Sequence, residues 1–420
     1  MASRYLRLSV LVTILIALAA VGRALQSPRG DDRLGSSALC ARESPEVGSA
    51  TVAVTSTTAV VGAPAGSVVV QAGSNVQAVV DSNPAGSTFY LLAGVYLGQL
   101  IEPRNGDVFI GQPGAVLDGN GQAERAFRSG ASNVTVSGFV IEDYVTPAQS
   151  GTVGGGGGSN WTISDNEIRY NGGGGVVLSD GFVVRGNYIH HNRQIGIKGG
   201  GSNVLIENNE IAFNNYLDDY SMSWEAGGTK FLKTVNLVVR GNYVHDNHGH
   251  GLWTDADNMN TLYENNVVRN NYGTGIFHEI SYDAVIRYNL IEGNAFPHSS
   301  GGIKVTSSSD VEVYGNTLSG NDGGFHVSQS ERGAGAYGVY EIRNLFVHDN
   351  VVSFTEGWSG FQVNEGSDAF YTSMNNRFTC NRYTLEPHGT QFIWLNRELT
   401  LGEWISNGLD SHLRSSMADR

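Results

Sequence analysis

Seven times the chain spells Asn-x-aliphatic-x-x-Asn, in copies beginning at Asn166, Asn187, Asn209, Asn242, Asn266, Asn289 and Asn316. The second Asn of each copy is Asn171, Asn192, Asn214, Asn247, Asn271, Asn294 or Asn321, and degenerate copies lie at Phe139 and Asn350. Successive copies are 21, 22, 33, 24, 23 and 27 residues apart. A period in the low twenties, built from short β-branched runs and turn residues, means a stack of coils. The runs are too short for helices and alternate inward and outward as strands do. Leucine-rich repeats share the period but need a leucine ladder that this chain lacks. The remaining solution is an all-β, right-handed parallel β-helix whose coils stack about 4.8 Å apart. Asn at a turn suits the left-handed backbone region, and its amide can hydrogen-bond along the stack, so the Asn columns are read as structural.

The stretches "VVRGNYIHHNRQIGIKGG" and "VVRGNYVHDN" resemble coils of secreted right-handed β-helix proteins of the pectin-lyase-like superfamily. "SNVQAVVDSNPAGSTFYLLAGVYLGQLIEP" resembles that group's N-terminal cap, a short helix followed by the first strands. The resemblance spans roughly residues 70 to 405. It implies the fold more than the reaction, because the group includes lyases, hydrolases, epimerases and non-catalytic proteins. The expected organisation is an export signal over 1–24, a Ser/Thr/Ala-rich lead-in over 25–67, the β-helix over 68–378, and a C-terminal cap and tail over 379–420. Thr400 and Glu403 form a capping box that predicts a short terminal helix.

The export reading rests on Arg4 and Arg7, the apolar run "LSVLVTILIALAAV", and small residues at Gly22 and Ala24. That run is short for a membrane span of roughly 20 residues. Removing residues 1–24 takes away Arg4, Arg7 and Arg23 and no acid, so the net charge goes from −14 to −17. A surface so acidic excludes nucleic acid as a natural partner. Cys40 and Cys380 are too few for a disulfide framework, and they pair only if the two ends of the fold meet. A monomer is expected. Asn133-Val-Thr and Asn160-Trp-Thr are glycosylation sequons, meaningful in a eukaryotic secretory path.

Chemistry gathers on the strand after each second Asn, which reads "GIKG", "GTKF", "GLWTD", "GIFHE", "GIKVT" and "GFHVS" in successive coils. Alternation puts Lys198, Lys230, Trp253, Phe277, Lys304 and His326 in one outward column. Two residues on, a second column holds Asp255, Glu279, Thr306 and Ser328. The chain has only four lysines, and three fall in the first column. Such lysines either pair with nearby acids to satisfy a strand surface or line a site. Extra loops precede or follow this strand: "NYLDDYSMSWEAGGTKFLKT", "AFPHSS" and "SQSERGAGAYGVYE". Loops gathered round one strand face build the walls of a groove.

Asp255 and Glu279 are then about 5 Å apart on neighbouring coils, close to the spacing of retaining glycosidase carboxylates. The candidate catalytic groups are Asp255, Glu279, Glu225, Lys230 and His278. Candidate substrate contacts are Lys198, Trp224, Trp253, Tyr282, Lys304 and His326, with the tryptophans either stacking on sugar rings or packing locally. Asp255, Asp257 and Asn258 offer oxygen ligands for Ca²⁺; otherwise no cofactor is expected. "HGHG" at His248–Gly251 resembles one polygalacturonase motif, but the paired Asp motif that should precede it is missing, which makes the match a coincidence. The expected function is a secreted carbohydrate-active enzyme cleaving a polysaccharide in an open groove, leaning to a glycoside hydrolase. A lyase or C5-epimerase on a uronan, or a non-catalytic glycan-binding or wall protein, are the alternatives.

Overall fold

The computed structural model describes residues 62–295, 301–385 and 391–412. The expected signal, most of the lead-in, Cys40 and residues 296–300 of the "AFPHSS" insertion lie outside the described residues. The chain winds as a parallel β-helix. One 23-stranded sheet bends at a corner into two faces, and a 12-stranded sheet forms the third. Gly227–Arg240 is a single strand that runs round the corner and joins the first two faces. A typical coil is Gly174–Leu178, Val183–Arg185 and Tyr188–His190, each strand pairing in parallel with its counterparts in neighbouring coils. The expected border at residue 378 falls inside the strand Arg377–Thr379, and stacking continues through Arg382–Leu385 and Phe392–Trp394.

Each strand buries its central aliphatic residue. Ile168, Ile189, Ile211, Val244, Val268, Ile291 and Leu318 form one fully buried column. Burying each is worth roughly 1.5–3 kcal/mol. At the N-terminal end the core turns aromatic, with Phe89, Phe109, Phe127 and Phe139 packed in series. The cap helix Val76–Asp81 starts at Asn75, whose side chain accepts from the Ala78 N–H. The terminal helix Leu401–Ser406 has the capping box read from Thr400 and Glu403.

The Asn columns form two continuous buried ladders. In one, Asn209 Nδ2 donates to Asn242 Oδ1, Asn242 to Asn266, Asn266 to Asn289 and Asn289 to Asn316, each bond 2.9–3.0 Å. The same oxygens accept from the backbone N–H of the preceding Asn. One expectation needs correction. The ladder asparagines do not take up the left-handed conformation; the residue before each does, as at Asp165, Asn208, Asn265 and Tyr288. That residue bends the chain at the corner between two faces, which leaves the next side chain pointing inward to bond the neighbouring coil. The glycine that opens the groove strand serves the second ladder. A Cβ on Gly228 would lie 2.5 Å from the Gly251 carbonyl oxygen and 3.3 Å from Asn247 Nδ2.

Candidate active site

The register of the groove strand matches the alternation read from sequence. Val177, Lys198 and Lys230 pair in turn, and Trp253, Phe277, Lys304 and His326 continue the column. Leu232, Asp255, Glu279, Thr306 and Ser328 form the second column, with Asp255 and Glu279 as direct partners. Strand stacking alone therefore brings together the three lysines, Asp255 and Glu279.

The charges interlock. Lys198 Nζ donates to Glu225 Oε2 at 2.5 Å and to Gln149 Oε1. Lys230 Nζ sits 2.8 Å from Asp255 Oδ2 and 3.9 Å from Glu225 Oε1, and lies over the Trp253 ring at 3.7 Å. Glu279 accepts from Trp253 Nε1 at 3.2 Å and from Arg332 at 2.9 Å. Glu225 sits in the left-handed conformation at the end of the short helix Met222–Trp224, which turns its carboxylate toward both lysines. The side chains of Lys198 and Lys230 are 9% and 7% exposed, and those of Glu225, Asp255 and Glu279 are 18%, 17% and 13% exposed. Desolvation at such burial cancels much of the Coulomb gain, so the cluster is weak evidence for stability. It is better evidence for fixed charge positions.

Lys304 differs from the other two lysines. Among the described residues it has no hydrogen-bond partner, and its ammonium rests 4.7 Å above the Phe277 ring. Burial lowers its proton affinity, against the opposing attraction of Glu279. Beneath the column, His250 packs edge-on against Trp253 and Phe277, which are themselves stacked 5.5 Å apart. Burial first, then Lys304 and Lys230, push the His250 imidazole down to about 3. Its Nδ1 accepts from the Thr274 N–H at 3.0 Å.

The right-handed beta helix region, as a family model, matches residues 151–318. No curated protein matches the chain by sequence. Among solved structures, the catalytic domain of a GH87 alpha-1,3-glucanase in complex with tetrasaccharides is 11% identical, with 79% of this chain and 68% of that chain covered and a TM-score of 0.50. The A-module of a mannuronan C-5 epimerase of Azotobacter vinelandii is 14% identical over 75% of this chain and 95% of its own, with a TM-score of 0.49. The chain is a right-handed parallel β-helix. At these identities the likeness is one of fold, and the site must be argued from this β-helix's own residues.

Several of the expected roles change. His278 faces the interior with no exposure; its Nδ1 bonds Thr254 Oγ1 at 2.8 Å, and burial lowers it to about 3. An inward imidazole cannot reach a substrate on the outer face. Tyr282 is buried, and its hydroxyl donates to the Gly338 carbonyl oxygen at 2.7 Å, which fastens the long loop. His326 is stacked under Trp358 at 3.9 Å with Nε2 on the Trp358 carbonyl oxygen. Trp253 lies between Lys230 and Phe277, so neither ring face is open to a sugar. Trp224 is 54% exposed and keeps an accessible face beside Tyr220. The expected calcium ligands do not converge. Asn258 Oδ1 accepts from Thr234, Asp257 Oδ1 from Tyr340 and Ala336, and Asp255 pairs with Lys230. Among the described residues no three His, Cys, Asp or Glu side chains gather as metal ligands.

Sequence reasoning missed Arg332, Gln149 and His250. Arg332 and Gln149 lie in loops 53 and 49 residues away from their partners along the chain, so no strand periodicity places them. His250 lies in "HGHG", a match too short to assign it a place in the site.

Proposed function

We propose that this β-helix is a carbohydrate-active enzyme that hydrolyses a polysaccharide along the groove strand. The observation that carries the reading is the direct pairing of Asp255 and Glu279 on adjacent strands, both partly exposed and ringed by Lys230, Arg332 and Glu225. Adjacent strands set the carboxylates at about the separation of retaining glycosidases. Asp255, oriented by Lys230, is placed to attack the anomeric carbon while Glu279 protonates the leaving oxygen. Water then hydrolyses the glycosyl ester with Glu279 as base. An acid role requires Arg332 to leave Glu279 when a sugar enters. Arg332 is on a loop and its side chain is 39% exposed, so it is the partner best able to move. The polysaccharide activities named for structurally similar proteins agree with this substrate class.

A second reading has one observation in its favour. Lys304, lowered in proton affinity and resting on Phe277 alone, has the features of a base that abstracts a proton next to a uronate carboxylate. The two readings separate on a panel of neutral polymers (α-1,3-glucan, xylan) and uronate polymers (mannuronan, polygalacturonate). Hydrolysis gives reducing ends without unsaturation, whereas a lyase gives unsaturated ends that absorb in the ultraviolet. Lys304→Met, which keeps the contact with Phe277, should leave hydrolysis standing and abolish elimination. Binding without either product would make the chain a glycan-binding protein. We read residues 1–24 as an export signal, on the sequence alone.

A further inference from the structure

Lys198 and Lys230 are direct register partners on adjacent strands of the groove. Like charges set opposite each other on one face of a sheet repel, and the repulsion grows as water is excluded. Both ammoniums are nearly covered. The stacked coils do little to answer this repulsion: the residue beside Lys198 on the preceding coil is Val177, and Lys230 lies over Trp253. Among the described residues, Glu225 is the one carboxylate within 4.0 Å of both ammoniums. It comes from the inserted loop, not from the repeat.

The backbone that carries Glu225 is clamped. Gln194 is fully buried, and its Nε2 donates to the Glu225 carbonyl oxygen at 3.0 Å. The Gln194 carbonyl oxygen accepts from the Gly227 N–H at 3.0 Å, and its Oε1 accepts from the Gln149 N–H at 2.8 Å. Gln149 Oε1 in turn accepts from Lys198 Nζ. Lysine can only donate, so this bond fixes which end of the Gln149 amide faces it. Ala226, between Glu225 and Gly227, is fully buried. The loop therefore holds one carboxylate at a set place between two lysines. Charges of alternating sign run along the groove through Lys198, Glu225, Lys230 and Asp255, linked at 2.5, 3.9 and 2.8 Å.

We propose that Glu225 and Lys198 are positioning residues that set how firmly Lys230 holds the Asp255 carboxylate, and so how readily that carboxylate attacks. Their role rests on Asp255 being the nucleophile proposed above. Glu225 and Asp255 compete for one ammonium, whose place is further limited by the Trp253 ring 3.7 Å away. Without the Glu225 charge, Lys198 would repel Lys230, and Asp255 would be its remaining carboxylate partner. Lys198 has the opposite effect, because it draws Glu225 away from Lys230. Two residues of opposite charge acting through one lysine have opposed signatures. Loss of the Glu225 charge eases ionisation of the nucleophile, and loss of the Lys198 charge hinders it.

The test compares Glu225→Gln, Lys198→Met and the double variant with the parent, on whichever polymer of the panel the parent cleaves, with Asp255→Asn alongside. Each single variant leaves a covered charge short of a partner and should melt lower, so rates are read well below every melting temperature. The acid limb of the kcat/KM profile reports the free enzyme. It should move by roughly half a pH unit, to lower pH in Glu225→Gln and to higher pH in Lys198→Met, and return in the double variant. In Glu225→Gln, kcat should fall about tenfold to a hundredfold while KM stays within about twofold. A role confined to fastening the loop would lower melting in both single variants and leave the limb in place. A limb that stays put, or moves the same way in both single variants, while Asp255→Asn abolishes turnover, would overturn the proposal alone. Full turnover in Asp255→Asn, or no hydrolysis of any polymer by the parent, would overturn the reading of Asp255 and the proposal with it.

Discussion

Replacing Asn266 by Leu tests the ladder where it is most continuous. Asn266 Oδ1 accepts from the N–H and Nδ2 of Asn242, and its Nδ2 donates to Val239 O and Asn289 Oδ1. Leucine has nearly the same size and none of these groups. Asn242 N–H would lose its acceptor outright. Asn242 Nδ2 would keep the Ile206 and Arg240 carbonyl oxygens, and Asn289 Oδ1 would keep the Asn266 N–H. One orphaned buried donor costs about 1–3 kcal/mol, and each of the remaining lost bonds about 0.5–1.5 kcal/mol. The expected loss is about 2.5–7.5 kcal/mol. Urea unfolding followed by far-ultraviolet circular dichroism reads it as a fall in midpoint at unchanged slope. A loss below about 0.5 kcal/mol, the scale of a neutral surface change, would mean that the ladder bonds do not support the coils and would refute the reasoning.

The first ladder ends on Asp410, whose Oδ1 accepts from the N–H and Nδ2 of Asn381 and whose Oδ2 accepts from Trp404 and Tyr383. Burial raises this carboxyl to about 6, against those four hydrogen bonds. Between pH 4 and 6 the folded chain keeps a proton that the unfolded chain releases. Stability therefore falls as pH rises through that window, by up to about 3 kcal/mol from this group, and Asp410→Asn should flatten the difference; an unchanged pH profile in the variant would contradict it. In the groove, Arg332→Ala removes the partner that must leave Glu279 before a sugar can enter, so KM should fall with little change in melting, since exposed ion pairs contribute about 0–1 kcal/mol; an unchanged KM would contradict the requirement that Arg332 leave.

The fold was legible because stacking makes it a one-dimensional problem. The spacing of Asn166 through Asn316 implied the coils, and alternation after Gly228, Gly251 and Gly275 placed Lys230, Trp253 and Phe277 in one column, with Asp255 beside Glu279. What alternation could not give was which outward groups stay open. Trp253 is outward in register yet covered by Lys230, and Tyr282 is used to fasten a loop. His278 lay on the strand between two outward residues, and its inward direction followed from the same rule; its proton chemistry suggested a role that its position denies it. Loop partners such as Arg332 and Gln149 depend on tertiary closure over about 50 residues, for which the repeat carries no information. The left-handed position was misplaced by one residue, because the ladder Asn and the turn residue before it share the same short motif.

The central claim is that Asp255 and Glu279 act on substrate rather than hold the coils together. Turnover and thermal melting of Glu279→Gln and Asp255→Asn, measured side by side on whichever polysaccharide the parent cleaves, test it most directly. Both changes keep size and geometry, so melting should stay within about 1 kcal/mol of the parent while turnover is lost. Full turnover in both variants, or a loss of turnover that only follows a matching loss of stability, would contradict the claim.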